Sequence, residues 1–116
     1  MTISDRPRLL LVEDEYLLAQ DLAYRLSQLG AEIVAFAPTV DRAIAVATGA
    51  APIDAAILDI NLRDSLVYPV VSLLRDRGIA IVFATSRTSG IPEEFSDIPI
   101  VPKPASAARI LTALKN

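Results

Sequence analysis

A chain of 116 residues, 53% of them hydrophobic and with a net charge of -3, has apolar content for one well-packed domain and none to spare for a second lobe. It contains no histidine and no cysteine, which excludes Ser-His and Cys-His nucleophilic pairs, imidazole acid–base chemistry, zinc centres and disulfides. Any chemistry must rest on carboxylates, hydroxyls, lysine and a hard metal. The eleven Lys and Arg are scattered and form no basic stripe, so no direct contact with nucleic acid is expected. Met1 to Arg8 is polar, and the apolar stretch that follows, Leu9 to Val12, is too short for a signal-peptide core or a membrane span. A soluble, cytoplasmic protein without membrane association is expected, and the lack of cysteine agrees with that compartment.

Arg8 to Glu13 is short and apolar throughout and reads as a buried strand. Glu15 to Leu29 predicts a helix with Leu18, Leu22, Leu26 and Leu29 on its inner face, Asp14 at the N-cap and Gly30 at the stop. Glu32 to Ala37 predicts the second strand, and Thr39 to Thr48 a helix opened by Thr39 and closed at Gly49. Asp54 to Asp59 follows as the third strand. Leu66 to Arg77 predicts the third helix, with Pro69 in its first turn, where a missing N–H costs little, and Gly78 after its end. Ile79 to Thr85 and Pro99 to Val101 read as the last two strands, and Ala105 to Leu114 as the last helix, with Ile110, Leu111 and Leu114 inward. Between them, Ser86 to Ile98 is interrupted by Gly90 and Pro92 and holds room for about one turn, starting at Pro92, so a shortened or disordered fourth helix is expected. Strand and helix otherwise alternate with short connections, the pattern of a doubly wound α/β domain with a parallel sheet.

Three apolar runs in this pattern end in charge: Glu13-Asp14, Asp59 and Lys103-Pro104. If the strands are parallel neighbours, these residues converge on one rim, where ligands of open α/β sheets bind. Taken singly, each has a plainer reading: helix cap, Asx turn, surface lysine. Two like charges ~5 Å apart at an effective dielectric of ~20 repel by roughly 3 kcal/mol, so a cluster of acids at one rim calls for a cation. All-oxygen donors point to Mg²⁺. Thr85 ends the fourth strand at the same rim, with Ser86 beside it; a Thr satisfied by the backbone is the alternative. Lys103–Pro104 is a candidate cis peptide, the alternative being a trans Pro in the first turn of the last helix.

With those residues in place, the chain resembles a response-regulator receiver domain of two-component signalling over essentially its full length. The acidic pair matches Glu13 and Asp14, the phosphoacceptor matches Asp59 in Leu58-Asp59-Ile60-Asn61-Leu62, the hydroxyl matches Thr85 and the lysine Lys103. The resemblance implies a flavodoxin-like five-stranded sheet in order 2-1-3-4-5, flanked by five helices. It implies Mg²⁺ held by Asp14, Asp59 and the main-chain carbonyl of Asn61, with Glu13 acting partly through water. A sensor histidine kinase or phosphotransferase would be the phosphodonor, a protein the downstream target, and the chain a monomer or weak dimer. Phe83-Ala84-Thr85 with Pro92-Glu93-Glu94-Phe95 is also similar to the receivers named for a Phe-Ala-Thr-Gly-bulky-Tyr motif, but Ser86, Arg87 and Thr88 replace its last three residues. The receiver switch aromatic three residues before the lysine is replaced by Ile100.

The expected chemistry is transfer of a phosphoryl group to Asp59, with Thr85 and Lys103 contacting its oxygens. Switching is expected in the loop beginning Thr85-Ser86-Arg87, with Arg87 reaching the phosphate and Glu93 to Phe95 contributing partner surface. The chain would catalyse only its own phosphorylation and dephosphorylation. With no output domain attached, signalling would proceed by protein contact, by relay or through a missing neighbour. Two alternatives remain: a pseudo-receiver binding module, and a metal-dependent aspartyl-phosphate hydrolase. The hydrolase needs a second acid two residues beyond its nucleophile, where this chain has Tyr16 after Asp14 and Asn61 after Asp59.

Overall fold

A computed structural model describes residues 5–63 and 65–115. Five parallel strands, β1 (Arg8–Val12), β2 (Glu32–Ala37), β3 (Ala55–Leu58), β4 (Ala80–Thr85) and β5 (Ile100–Pro102), form one sheet in order β2-β1-β3-β4-β5. Four helices connect or follow them: α1 (Tyr16–Gln28), α2 (Val40–Thr48), α3 (Tyr68–Asp76) and α4 (Ala107–Lys115).

Side chains of a strand alternate between the two faces of its sheet, and both faces here are apolar. Leu10, Val12, Ala56, Leu58, Ile81 and Phe83 pack on the side of α2 and α3. Leu9, Leu11, Ala55, Ile57, Val82 and Ala84 pack on the side of α1 and α4. Coverage on both faces is why β1 and β3 read as unbroken apolar runs rather than as alternating ones.

Local chemistry sets most helix ends. The Thr39 hydroxyl accepts the Arg42 N–H at 3.1 Å and caps α2. Pro69 lies in the first turn of α3, and Gly78 (φ 71°) follows its last turn in the left-handed region that glycine tolerates.

Three expectations need correction. The N-cap of α1 is Glu15, which makes no side-chain capping bond, and Asp14 lies outside the helix. The inner face of α1 is built on Ala19 and Leu26, with Leu22 and Ala23 partly buried, whereas Leu18 and Leu29 are 44% and 52% exposed. Four-residue steps overshoot a turn by about 40° each and a three-residue step falls about 60° short; Leu18 therefore lies at the edge of a stripe centred on Ala19 and Leu26, and so does Leu29, the C-cap just past the helix. The implied fifth helix does not form among the described residues. Pro92 opens only a 3-10 turn at Glu93–Phe95, and Phe95 is buried instead of offering partner surface. It stacks on Tyr68, ring centroids 5.6 Å apart, and the Arg75 guanidinium lies over its ring at 5.6 Å.

Candidate functional site

Because β1, β3, β4 and β5 run the same way, their C-terminal ends share one rim, and the residue after each strand stands there. Val12 leads into Glu13, Leu58 into Asp59 and Pro102 into Lys103, while Thr85 is the last residue of β4. Main-chain bonds lock the junctions: Asp59 N–H donates to the Val12 carbonyl at 2.9 Å, and Lys103 N–H to the Thr85 carbonyl at 3.3 Å.

The four charged residues meet. Carboxylate oxygens of Glu13, Asp14 and Asp59 lie within 4.8 Å of one another. Lys103 Nζ donates to Glu13 Oε1 at 2.6 Å and to Asp59 Oδ2 at 2.8 Å. The other Glu13 oxygen accepts the Asp14 main-chain N–H at 3.0 Å. Glu13 and Asp59 are 5% and 7% exposed, so these charges face each other with little water between them. Burial pushes the Glu13 carboxyl up to about 7; the bond to Lys103 opposes that rise, and the bond and charge of Asp59 add to it. Burial alone would lower the Lys103 ammonium, but Asp59 and Glu13 outweigh it and hold it above its ordinary value. The Lys103–Pro104 peptide is cis, the first of the two sequence readings.

The remaining candidates surround this core. Thr85 is fully buried, and its Oγ1 accepts the Arg87 main-chain N–H at 3.1 Å. Arg87 Nη2 in turn donates to Asn61 Oδ1 at 3.1 Å. Ser86 is exposed, and Ile100 sits on β5, 36% exposed. Arg63, to which the sequence pattern assigns no role, stands 3.7 Å from Asp14 Oδ2 through its Nε. Its place in the polar loop after Asp59 is the available signal. A cavity of about 310 Å³ opens beside Glu13, Asp59 and Lys103, walled by Leu18, Leu22 and Pro104 among others.

Three carboxylates within one ion's reach offer hard oxygen donors and neither sulfur nor imidazole, which suits Mg²⁺. The donor set therefore fits the cation expected from the sequence.

No family model matches the sequence, and no curated protein does. Solved structures do. SdrG from Sphingomonas melonis Fr1 is 39% identical, with 97% of this chain and 98% of that one covered at a TM-score of 0.79. The response regulator PhyR from Brucella abortus is 28% identical at a TM-score of 0.79; the match covers 97% of this chain but 49% of PhyR, so the chain spans about half its length. A response regulator receiver protein from Sinorhizobium medicae WSM419 is 25% identical, with 95% and 92% covered, at a TM-score of 0.78. Among the described residues no helix is long and apolar enough to cross a membrane.

Proposed function

Because the chain belongs to the receiver domains of response regulators, we propose that it accepts a phosphoryl group on Asp59 from a phosphohistidine of a sensor kinase or phosphotransferase and signals by protein contact. The observation that carries this reading is the Glu13–Lys103–Asp59 arrangement, with Asp14 completing a cluster of carboxylates around the end of β3.

In the proposed reaction an Asp59 carboxylate oxygen forms a P–O bond while the P–N bond of the donor phosphoimidazole breaks. The bonding pair leaves with the imidazole nitrogen, which takes up a proton. Transfer of this kind is mostly positioning and charge stabilisation. Lys103, already 2.8 Å from Asp59 Oδ2, keeps the acceptor from moving and supplies a point charge to a phosphoryl oxygen. Thr85 holds its hydroxyl at the same rim and donates a hydrogen bond to another oxygen. Asp14, Asp59, the Asn61 main-chain carbonyl and Glu13 would hold the metal. Bound Mg²⁺ would supply positive charge to the phosphoryl oxygens and offset the repulsion between the acids. Water attack on the acyl phosphate returns the free Asp59 carboxylate and inorganic phosphate, which ends the signal.

The hydrolase alternative is less well supported: Asn61, two residues beyond Asp59, has an amide engaged with Arg87 in place of an acid. The Phe-Ala-Thr subfamily likeness is confined to Phe83-Ala84-Thr85 and Pro92–Phe95. Incubation with a small phosphodonor and Mg²⁺, read by intact mass, tests the proposal. One acid-labile phosphate on the wild type and none on Asp59→Asn is expected; equal labelling of both removes Asp59 from the role.

A further inference from the structure

Arg87 carries a set of contacts that the transfer reaction does not require. Its main-chain N–H is bonded to the Thr85 hydroxyl oxygen and its Nη2 to Asn61 Oδ1, both at 3.1 Å. A single residue therefore joins the end of β4 to the loop that follows Asp59. Its Nε is buried with no hydrogen-bond partner. Guanidinium offers five donors in a fixed fork, and a buried donor left unmade is costly. The chain turns back on this side chain at Gly90 (φ 72°), where an added Cβ would lie 3.4 Å from Arg87 Nη1.

The neighbouring cations are committed to acids. Lys103 is bonded to Glu13 and Asp59, and Arg63 stands by Asp14. The side-chain bond of Arg87, in contrast, goes to a neutral amide. A phosphoryl group brings further negative charge and three strong acceptor oxygens to a rim already holding three carboxylates. Exchanging a neutral amide for a phosphoryl oxygen replaces an ordinary hydrogen bond with a charge-assisted one, roughly twice as strong.

We infer that Arg87 is a phosphate-recognising side chain: it rests on Asn61 Oδ1, moves to an oxygen of the group on Asp59, and carries the Thr85–Gly90 segment with it. This deepens the receiver reading and rests on it. The Arg87 N–H bond already couples that segment to the Thr85 hydroxyl, so both contacts to the phosphoryl group would draw on the same stretch of chain. Ser86, Thr88 and Ser89 in this stretch are small, polar and exposed, and exposed segments with few apolar contacts rearrange at low cost.

The test is a titration of the ¹⁵N-labelled full chain with beryllofluoride at fixed millimolar Mg²⁺, for wild type, Arg87→Ala, Arg87→Lys and Asn61→Ala. Arg87→Ala is expected to bind about tenfold more weakly, the loss of one charge-assisted hydrogen bond. Arg87→Lys should recover part of that loss, and Asn61→Ala, which frees the arginine, should bind more tightly. In the wild type the Arg87 Nε–H resonance should shift on saturation together with the amides of 86 to 90. Wild-type affinity in Arg87→Ala, an unmoved Nε–H signal, or weaker binding in Asn61→Ala each overturns the exchange. If Arg87→Ala fails to fold, the lysine variant and the wild-type Nε–H signal still decide. Failure of the receiver reading looks different: the wild type itself would then bind no beryllofluoride, or would bind it no better than Asp59→Asn.

Discussion

The Glu13 carboxyl gives a stability signature opposite to that of ordinary paired acids. Its pKa is raised to about 7 in the folded chain, chiefly by burial, whereas unfolding returns it to its ordinary 4.5. Between these values the folded state binds more protons than the unfolded one, so stability falls as pH rises. The full difference would correspond to roughly 3 kcal/mol at about 1.36 kcal/mol per pH unit; solvent screening and the charge shared with Lys103 and Asp59 bring the expected loss nearer ~2 kcal/mol. For a domain of this size that is a fall of about 8 °C in melting temperature between pH 5 and pH 8. Lys103, held above 10.5, contributes stability that is fully present throughout this window and is lost only above it. Asp54 and Asp97, lowered by their bonds to Arg8 and Arg75, act below about pH 4 and do not contribute to the slope. The assay is thermal melting in metal-free buffers across pH 5 to 8 for wild type and Glu13→Gln, whose amide keeps the shape and removes the titration. The wild-type minus variant difference should decline with rising pH. A flat or rising difference would refute the buried-acid account of Glu13.

Other perturbations follow from the same geometry. If the carboxylate cluster binds Mg²⁺ as proposed, and only in the native state, Mg²⁺ at 100 times its Kd should stabilise the fold by about 2.7 kcal/mol, and Asp14→Ala should shrink that response; unchanged melting in millimolar Mg²⁺ argues against the site. With the Glu13 carboxyl pushed up to about 7 by burial, Mg²⁺ binding near pH 6 should be accompanied by proton release, measurable by calorimetry in two buffers of different ionisation enthalpy; binding without proton release would contradict the raised carboxyl. Lys103→Ala should fold, since 21% of the lysine side chain is already exposed, yet show weak phosphorylation-induced amide shifts in residues 86 to 98; wild-type shifts would contradict its role. Ile57→Ala, at a fully buried position of the central strand, should cost ~2–5 kcal/mol in denaturant melts while leaving Asp59 able to accept phosphate.

The parts of this molecule legible in the sequence are those set by neighbours along the chain. Apolar runs ending in Glu13, Asp59 and Lys103 mark strands, and once the strands are parallel no further information is needed to bring their ends to one rim. Thr39 and Gly78 announce helix ends by chemistry confined to a turn. The misreadings come where a residue answers to something distant or to cumulative geometry. Leu18 and Leu29 are as apolar as Leu26, and only the rotation of α1 against the sheet decides which is buried. Arg77 reads as the last residue of a helix, yet its guanidinium reaches across to the Val46, Ala47 and Ala51 carbonyls at 3.4, 3.0 and 2.7 Å and satisfies the open end of α2. Phe95 reads as surface in a polar loop, but the Tyr68 ring gives it a stacking partner from α3. Arg87 and Asn61 are both singled out in the sequence, one for the phosphate and one for its main-chain carbonyl, but the side-chain bond that joins them is not legible there. What joins them is the path of the loop that folds back at Gly90. The carboxylate–lysine cluster thus follows from strand order, whereas the device that would sense a phosphoryl group there depends on side chains meeting between loops, which no periodicity encodes.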